Sequence, residues 1–127
     1  MVFGNILTKQ SLGSKGHEIV QTLREAHTNS VTQKGDSRWG VYINTSTDPD
    51  SYVLFKGNDY SSRSLKSDVL SYVPKSSYFL NINLGGVNEV VFDKRTGLPS
   101  NSGGFSISND NEQLDIVINS LGLIDYN

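Results

Sequence analysis

The sequence predicts an α+β fold: one long N-terminal amphipathic helix packed on an antiparallel β-sheet region of about six or seven strands. Three observations lead there. Apolar residues in the first part of the chain recur at helical spacing. After Gly35 the period changes abruptly from about 3.6 residues to about 2. The two kinds of segment are segregated, helix first, which argues for a helix laid on one face of a sheet. A chain of 127 residues fits a single domain over 1–127, with the helix at about 5–34 and the β region at about 38–126.

The helix is clearest from Ser14 to Gly35. At about 100° per residue, Leu12, Ile19, Leu23, Ala26 and Ser30 fall on one narrow stripe. Val20, His27 and Val31 widen it on one side, and Glu18, Gln21, Glu25, Thr28 and Thr32 lie opposite. Such a helix has one face to bury and one for water. Leu12, Ile19, Leu23 and Ala26 are therefore its core or partner-facing residues, and Leu23→Ala is expected to cost about 2–5 kcal/mol. Lys34 followed by Gly35 supplies stop chemistry: a cation at the negative end, then a residue tolerant of positive φ. Ser11 and Ser14 are the available caps, but the segment Val2–Leu7 before them is apolar again, so no strong start signal matches the stop.

Arg38–Asn44 and Ser51–Lys56 read as strands joined by the turn formers Thr45–Asp50, a hairpin. Tyr60–Lys75 is read as irregular. Leu65, Val69 and Val73 have helical spacing there, but serines and tyrosines dilute it and Pro74 ends it. Beyond it, Tyr78–Leu84 alternates and Gly85-Gly86 breaks it; Glu89–Asp93 is a short apolar run; Lys94–Gly103 is a loop. Gly104–Ser108, Gln113–Asn119 and Leu123–Tyr126 complete the strands. The sheet region from Asp36 onward is expected not to fold without the helix that covers it.

Hydrophobic residues make up 35% and charged residues 19% of the chain, so Ser, Thr, Asn and Gly carry much of the surface, as in exported proteins. The net charge of -2 excludes a global pull on nucleic acid or acidic membranes. Cysteine is absent, which removes disulfide frameworks, thiolate metal sites and thiol nucleophiles together. No apolar run approaches the ~18 residues of a membrane span. Met1–Gly4 is too short an apolar patch for a secretory signal peptide.

Reactive constellations are sparse. No G-x-S-x-G elbow occurs, and Gly13-Ser14-Lys15-Gly16 has the wrong spacing. His17 and His27 lack the i, i+4 spacing of a two-histidine zinc motif, and His27 reads as a partly buried packing residue. Asp48 and Asp50 flank Pro49, with Asn44 and Ser51 near. This is turn chemistry first, and an oxygen-rich loop of the type that binds calcium second. The EF-hand spacing is missing. Gly85-Gly86 and Gly103-Gly104 open no helix and read as turns rather than phosphate cradles. Arg38, Trp39, Lys56, Tyr60, Arg63, Lys66 and Tyr72 mix bases with aromatics, as single-stranded nucleic-acid grooves do, but Asp59 and Asp68 interleave. No catalytic residue, cofactor or firm metal site is assigned.

Three stretches carry a resemblance. Ile19-x-x-x-Leu23-Arg24-x-Ala26-His27 with Ser30-Val31 is similar to a segment L-R-x-A-(R/Q)-x-x-A-(I/V) before a first strand. Trp39–Ile43, a turn and Ser51–Phe55 are similar to a first hairpin. Val90-Val91-Phe92-Asp93-x-x-x-Gly97, Gly104–Ile107 and Leu114–Ile118-x-x-x-Gly122-Leu123-Ile124 are similar to a strand-turn, a strand and a final hairpin. In this order they resemble the type IV pilin-like family, and within it the minor pseudopilins of the H type and their minor-pilin relatives. The family's leader, cleavage site and apolar membrane helix are missing here. Phe3-Gly4-Asn5-Ile6-Leu7 looks like the far end of such a helix.

The resemblance implies a pilin-like domain that assembles, without chemistry or cofactor, into a type II secretion pseudopilus or a type IV pilus. Its partners would be other pilin or pseudopilin subunits. Its place would be outside the cytoplasm, membrane-anchored by a methylated N-terminal helix, in a periplasmic or cell-surface filament serving protein transport. The alternative is a minor pilin that binds DNA or another ligand in uptake or adhesion, and the net charge of -2 counts against DNA.

Overall fold

The computed structural model describes residues 2–127, and side chains from Leu12 onward. The helix α1 runs Val2–Val31, followed by β1 (Trp39–Asn44), β2 (Ser51–Lys56), β3 (Val69–Tyr72), β4 (Tyr78–Asn83), β5 (Glu89–Phe92), β6 (Gly103–Ser108), β7 (Gln113–Ile118) and β8 (Ile124–Tyr126). The α+β reading holds. The strands form two antiparallel sheets of four, ordered β3-β2-β1-β5 and β4-β6-β7-β8.

Three details depart from the sequence reading. Eight strands replace the expected six or seven because Val69–Tyr72, within the stretch read as irregular, forms β3. Its residues are exposed or half-exposed on both faces, so no apolar alternation marks it. Likewise Gly103-Gly104, read as a turn, opens β6.

The helix also stops earlier than Lys34. Gln33 takes a left-handed conformation at φ 59° and closes the last turn; Lys34–Asp36 then makes one separate 3₁₀ turn with Gly35 at φ 65°. The reason lies in Ser30. Its hydroxyl accepts the Trp39 backbone N–H at 2.9 Å, and the Trp39 indole N–H donates to the Lys34 carbonyl at 2.9 Å. The chain must reverse at once to bring β1 back to the helix.

Packing explains why strands in the two sheets look different in sequence. One core joins the helix stripe to the inner faces of both sheets: Val41, Ile43, Leu54 and Phe92 from the first, Phe105, Ile107, Ile116 and Ile118 from the second. The first sheet is apolar on its outer face too, where Val53, Phe55 and Val91 pack with Tyr42 and Tyr60. Tyr60 lies in the β2–β3 loop and stacks on Tyr42 with centroids 3.8 Å apart. Gly40 leaves the space Phe55 occupies on that face: a Cβ there would stand 2.8 Å from the ring.

The sheets are interleaved. The chain passes from β4 in the second sheet to β5 in the first and back to β6 in the second.

Candidate assembly surface

The helix stripe is the seam of the molecule. Leu12 is 1% exposed, and Ile19, Val20, Leu23 and Ala26 are 0% exposed. Val31 is 37% exposed, so the stripe narrows before the helix ends. Gly16 belongs to it as well: a Cβ there would strike Leu114 of β7 at 2.4 Å, so the missing side chain lets that strand close on the helix. On the flank, the fully buried Tyr52 donates its hydroxyl to Glu18 Oε1 at 3.2 Å, and Lys15 pairs with the same carboxylate at 2.9 Å. Burial, reinforced by the Glu18 charge, pushes the Tyr52 hydroxyl far above its ordinary range, so it stays a neutral donor. Arg24 reaches the second sheet and donates to the Ile124 carbonyl at 3.0 Å.

Near the C-terminal end of the helix the sheets meet. The Ser30 carbonyl accepts the Arg95 backbone N–H at 2.8 Å while its hydroxyl holds Trp39. His27, half-buried, meets Phe92 edge-on with centroids 5.4 Å apart. It sits in a niche shaped by two glycines with positive φ. A Cβ on Gly97 (φ 72°) would lie 2.5 Å from His27 Nε2; one on Gly122 (φ 87°) would lie 2.3 Å from the Gly97 carbonyl oxygen. Gly97 follows the first sheet's β5 and Gly122 precedes the second sheet's β8, so the pair makes a direct backbone seam between them.

The surface offers little chemistry. A cleft of about 760 Å³ beside the helix exit is lined by Asp36, Arg38, Asp93 and Lys94, among others. Its charges are paired: Lys94 with Asp36 at 2.6 Å, Arg38 with Asp93 at 3.3 Å. Lys94 holds the exposed Asp36 carboxyl below its usual range.

The calcium candidates divide. The Asp50 carboxylate accepts the Phe79 backbone N–H at 2.9 Å, and its carbonyl accepts Val73 N–H at 2.9 Å. Asp48 is exposed in the turn beside it. Among the described residues, no three His, Cys, Asp or Glu side chains gather in a way that would hold a metal ion. His17 is exposed on the helix, apart from His27.

Of the three aromatic rings in the mixed basic and aromatic set, Trp39 and Tyr60 are already engaged and Tyr72 is half exposed. Trp39 is buried. Tyr60 carries Tyr42 on one face and the Arg63 guanidinium, 3.7 Å from its centroid, on the other. Arg63 is itself paired with Asp68 at 2.9 Å.

Each sheet has two edge strands, which present backbone groups to the outside. Three of the four are guarded. On β5, the outward N–H and C=O of Val91 both bond Ser100. On β4, the outward N–H of Phe79 is taken by Asp50, and the register slips between Leu80 and Asn83. On β8, Arg24 holds the Ile124 carbonyl. The fourth is β3. Val73 N–H donates to the Asp50 carbonyl, so by alternation Leu70 and Tyr72 turn their N–H and C=O away from β2. Those groups have no partner among the described residues. Val69, Leu70 and Tyr72 are 54%, 53% and 50% exposed, and Leu65 just before them 69%. Sequence reasoning missed this edge; its one local signal is apolar residues placed without any buried partner period.

Among the described residues, no helix is long and apolar enough to cross a membrane. No protein-family model matches the sequence, and no curated protein matches it. The fold is similar to that of the type IV minor pilin FimU from Pseudomonas aeruginosa strain PAO1, seen in a crystal structure. The TM-score is 0.65 at 14% sequence identity, over 91% of this chain and 92% of that one. The chain therefore has a pilin-like fold.

Proposed function

We propose that the chain, as one domain over 1–127, is a minor pilin-type subunit that acts through protein–protein contacts and does no chemistry. The observation that carries this reading is the architecture: a long helix clamped by two interleaved sheets, in the arrangement found in a type IV minor pilin over nine-tenths of both chains. The paired charges of the cleft and the engaged Tyr60 ring support it, since those groups are already held by partners within the chain. In this reading the subunit is extracytoplasmic. An apolar helix upstream of the present residues anchors it until it enters a type IV pilus or a type II secretion pseudopilus, beside other pilin subunits.

The test is genetic. Deleting the gene should reduce surface filaments or secreted protein, counted by electron microscopy and by assay of the medium. A tagged copy should return in sheared filaments. Unchanged filament number and secretion overturn the reading.

A further inference from the structure

We infer that β3 is an acceptor edge: it takes an extended strand from a neighbouring subunit as a fifth strand of the first sheet, β-augmentation by a chain with apolar residues at alternate positions and acidic ends. That the strand comes from a neighbouring subunit rests on the reading above; the openness of the edge does not.

Folded proteins protect their sheet edges, because unpaired backbone groups template pairing with other chains. Here the guards on β4, β5 and β8 are specific: a carboxylate, a serine and an arginine each aimed at an outward backbone group. β3 has no such guard, no charged residue, no proline and no register shift. Leu70 and Tyr72 offer outward donors and acceptors two residues apart, the repeat of an incoming strand. Their side chains stand on the outer face opposite Val53 and Ser51, half exposed, where an incoming apolar residue would cover them.

Charge selects the occupant. Lys66 and Lys75 flank the strand, and neither makes an ion pair among the described residues. The nearby Asp68 is already neutralised by Arg63. Pairing β3 with β3 of a second copy would bring lysine beside lysine at both ends, in either direction. Each of the other edges of a second copy has an outward backbone group already bonded within its own chain. A strand with glutamate or aspartate beyond its apolar residues meets both lysines with opposite charge, and main-chain bonds supply the affinity.

The probe is a short synthetic peptide alternating valine and threonine between glutamate ends, added to the isotopically labelled full chain. Amide hydrogen exchange is read by NMR. With the peptide at about ten times its Kd, exchange at Leu70 and Tyr72 should slow about tenfold. The amides of Phe79 and Val91, already bonded at guarded edges, should not change. Leu70→Pro removes an outward N–H that the β2 ladder does not use, and should abolish the effect at Tyr72. Should that variant fold poorly, the surface variant with Lys66→Glu and Lys75→Glu decides: it should lose the glutamate-ended peptide and gain a lysine-ended one. Unchanged exchange at Leu70 and Tyr72, equal response to either peptide, or self-association through β3 without peptide overturns the proposal. Because the measurement needs no filament, its failure is distinct from failure of the subunit reading. Binding together with an unaltered filament count would overturn only the latter.

Discussion

The two sheets share one core and differ on their outer faces. In the first, β1, β2 and β5 are covered on both sides, by the helix within and by the Tyr60 loop without, while the edge strand β3 stays exposed. The second is covered on one side only; its outer face carries Gln113, Asp115 and Val117, all exposed. A strand covered twice loses its alternation and becomes a continuous apolar run, whereas a strand covered once keeps the period of two. β2 is buried from Ser51 through Phe55, while β7 alternates from Asp115 to Ile118. The same pleat thus writes two different sequence patterns, and the pattern tells how many layers lie on it.

The comparison can be broken at its shared element first. Residues 36–127 without the helix should lose the cooperative thermal transition seen by circular dichroism, because both inner faces would open to water together. A melt like that of the whole chain would mean that the sheets support each other unaided.

Next comes the contrast between outer faces. Phe55→Ala, on the covered face, should destabilise by about 3–5 kcal/mol. Val117→Ala, on the open face, should change stability by less than about 0.5 kcal/mol. Urea unfolding followed by Trp39 fluorescence measures both, and equal effects would erase the distinction.

Gly122→Ala tests the seam between the sheets. The residue would be forced to φ 87° against the Gly97 carbonyl, and the strained backbone alone should cost about 1–3 kcal/mol. The same denaturant titration reads it.

The smallest effect is on the open face. The Gln113 amide and then the Ser106 hydroxyl hold the Asp115 carboxyl below its ordinary value of 3.8. A depressed carboxyl contributes stability above its unfolded pKa, and that contribution is lost as pH falls through the folded one. Asp115→Asn should therefore make the fall in melting temperature toward acid slightly shallower, and a steeper fall would contradict the assignment.

Much of this was legible beforehand. The stripe from Leu12 through Ile19, Leu23 and Ala26 has a long, regular period, and seven of the eight strands carry either alternation or an apolar run. Turn chemistry at Thr45–Asp50 marked the first hairpin. What escaped has a common physical cause. β3 escaped because its neighbours are solvent on one edge and both faces, so burial wrote no pattern into Val69–Tyr72. The division into two sheets escaped because pairings such as β1 with β5 join residues far apart in the chain, and local periodicity says nothing of partners. The early helix stop escaped because Gln33, not the expected Gly35, closes the last turn, under a constraint set by Ser30 and Trp39. Gly97 and Gly122 were visible as motif positions, yet nothing local said that each makes room for the other and for His27.

The route of the chain from β4 to β5 to β6 has a consequence for engineering. Neither sheet corresponds to an uninterrupted piece of sequence, so no single excision isolates one, and no tandem duplication of one is available by recombination at two points. A protease cut anywhere between 84 and 102 severs a strap that belongs to both halves at once. Tolerated insertions should concentrate instead at peripheral hairpin tips such as 109–112, where the added residues leave the stitching untouched.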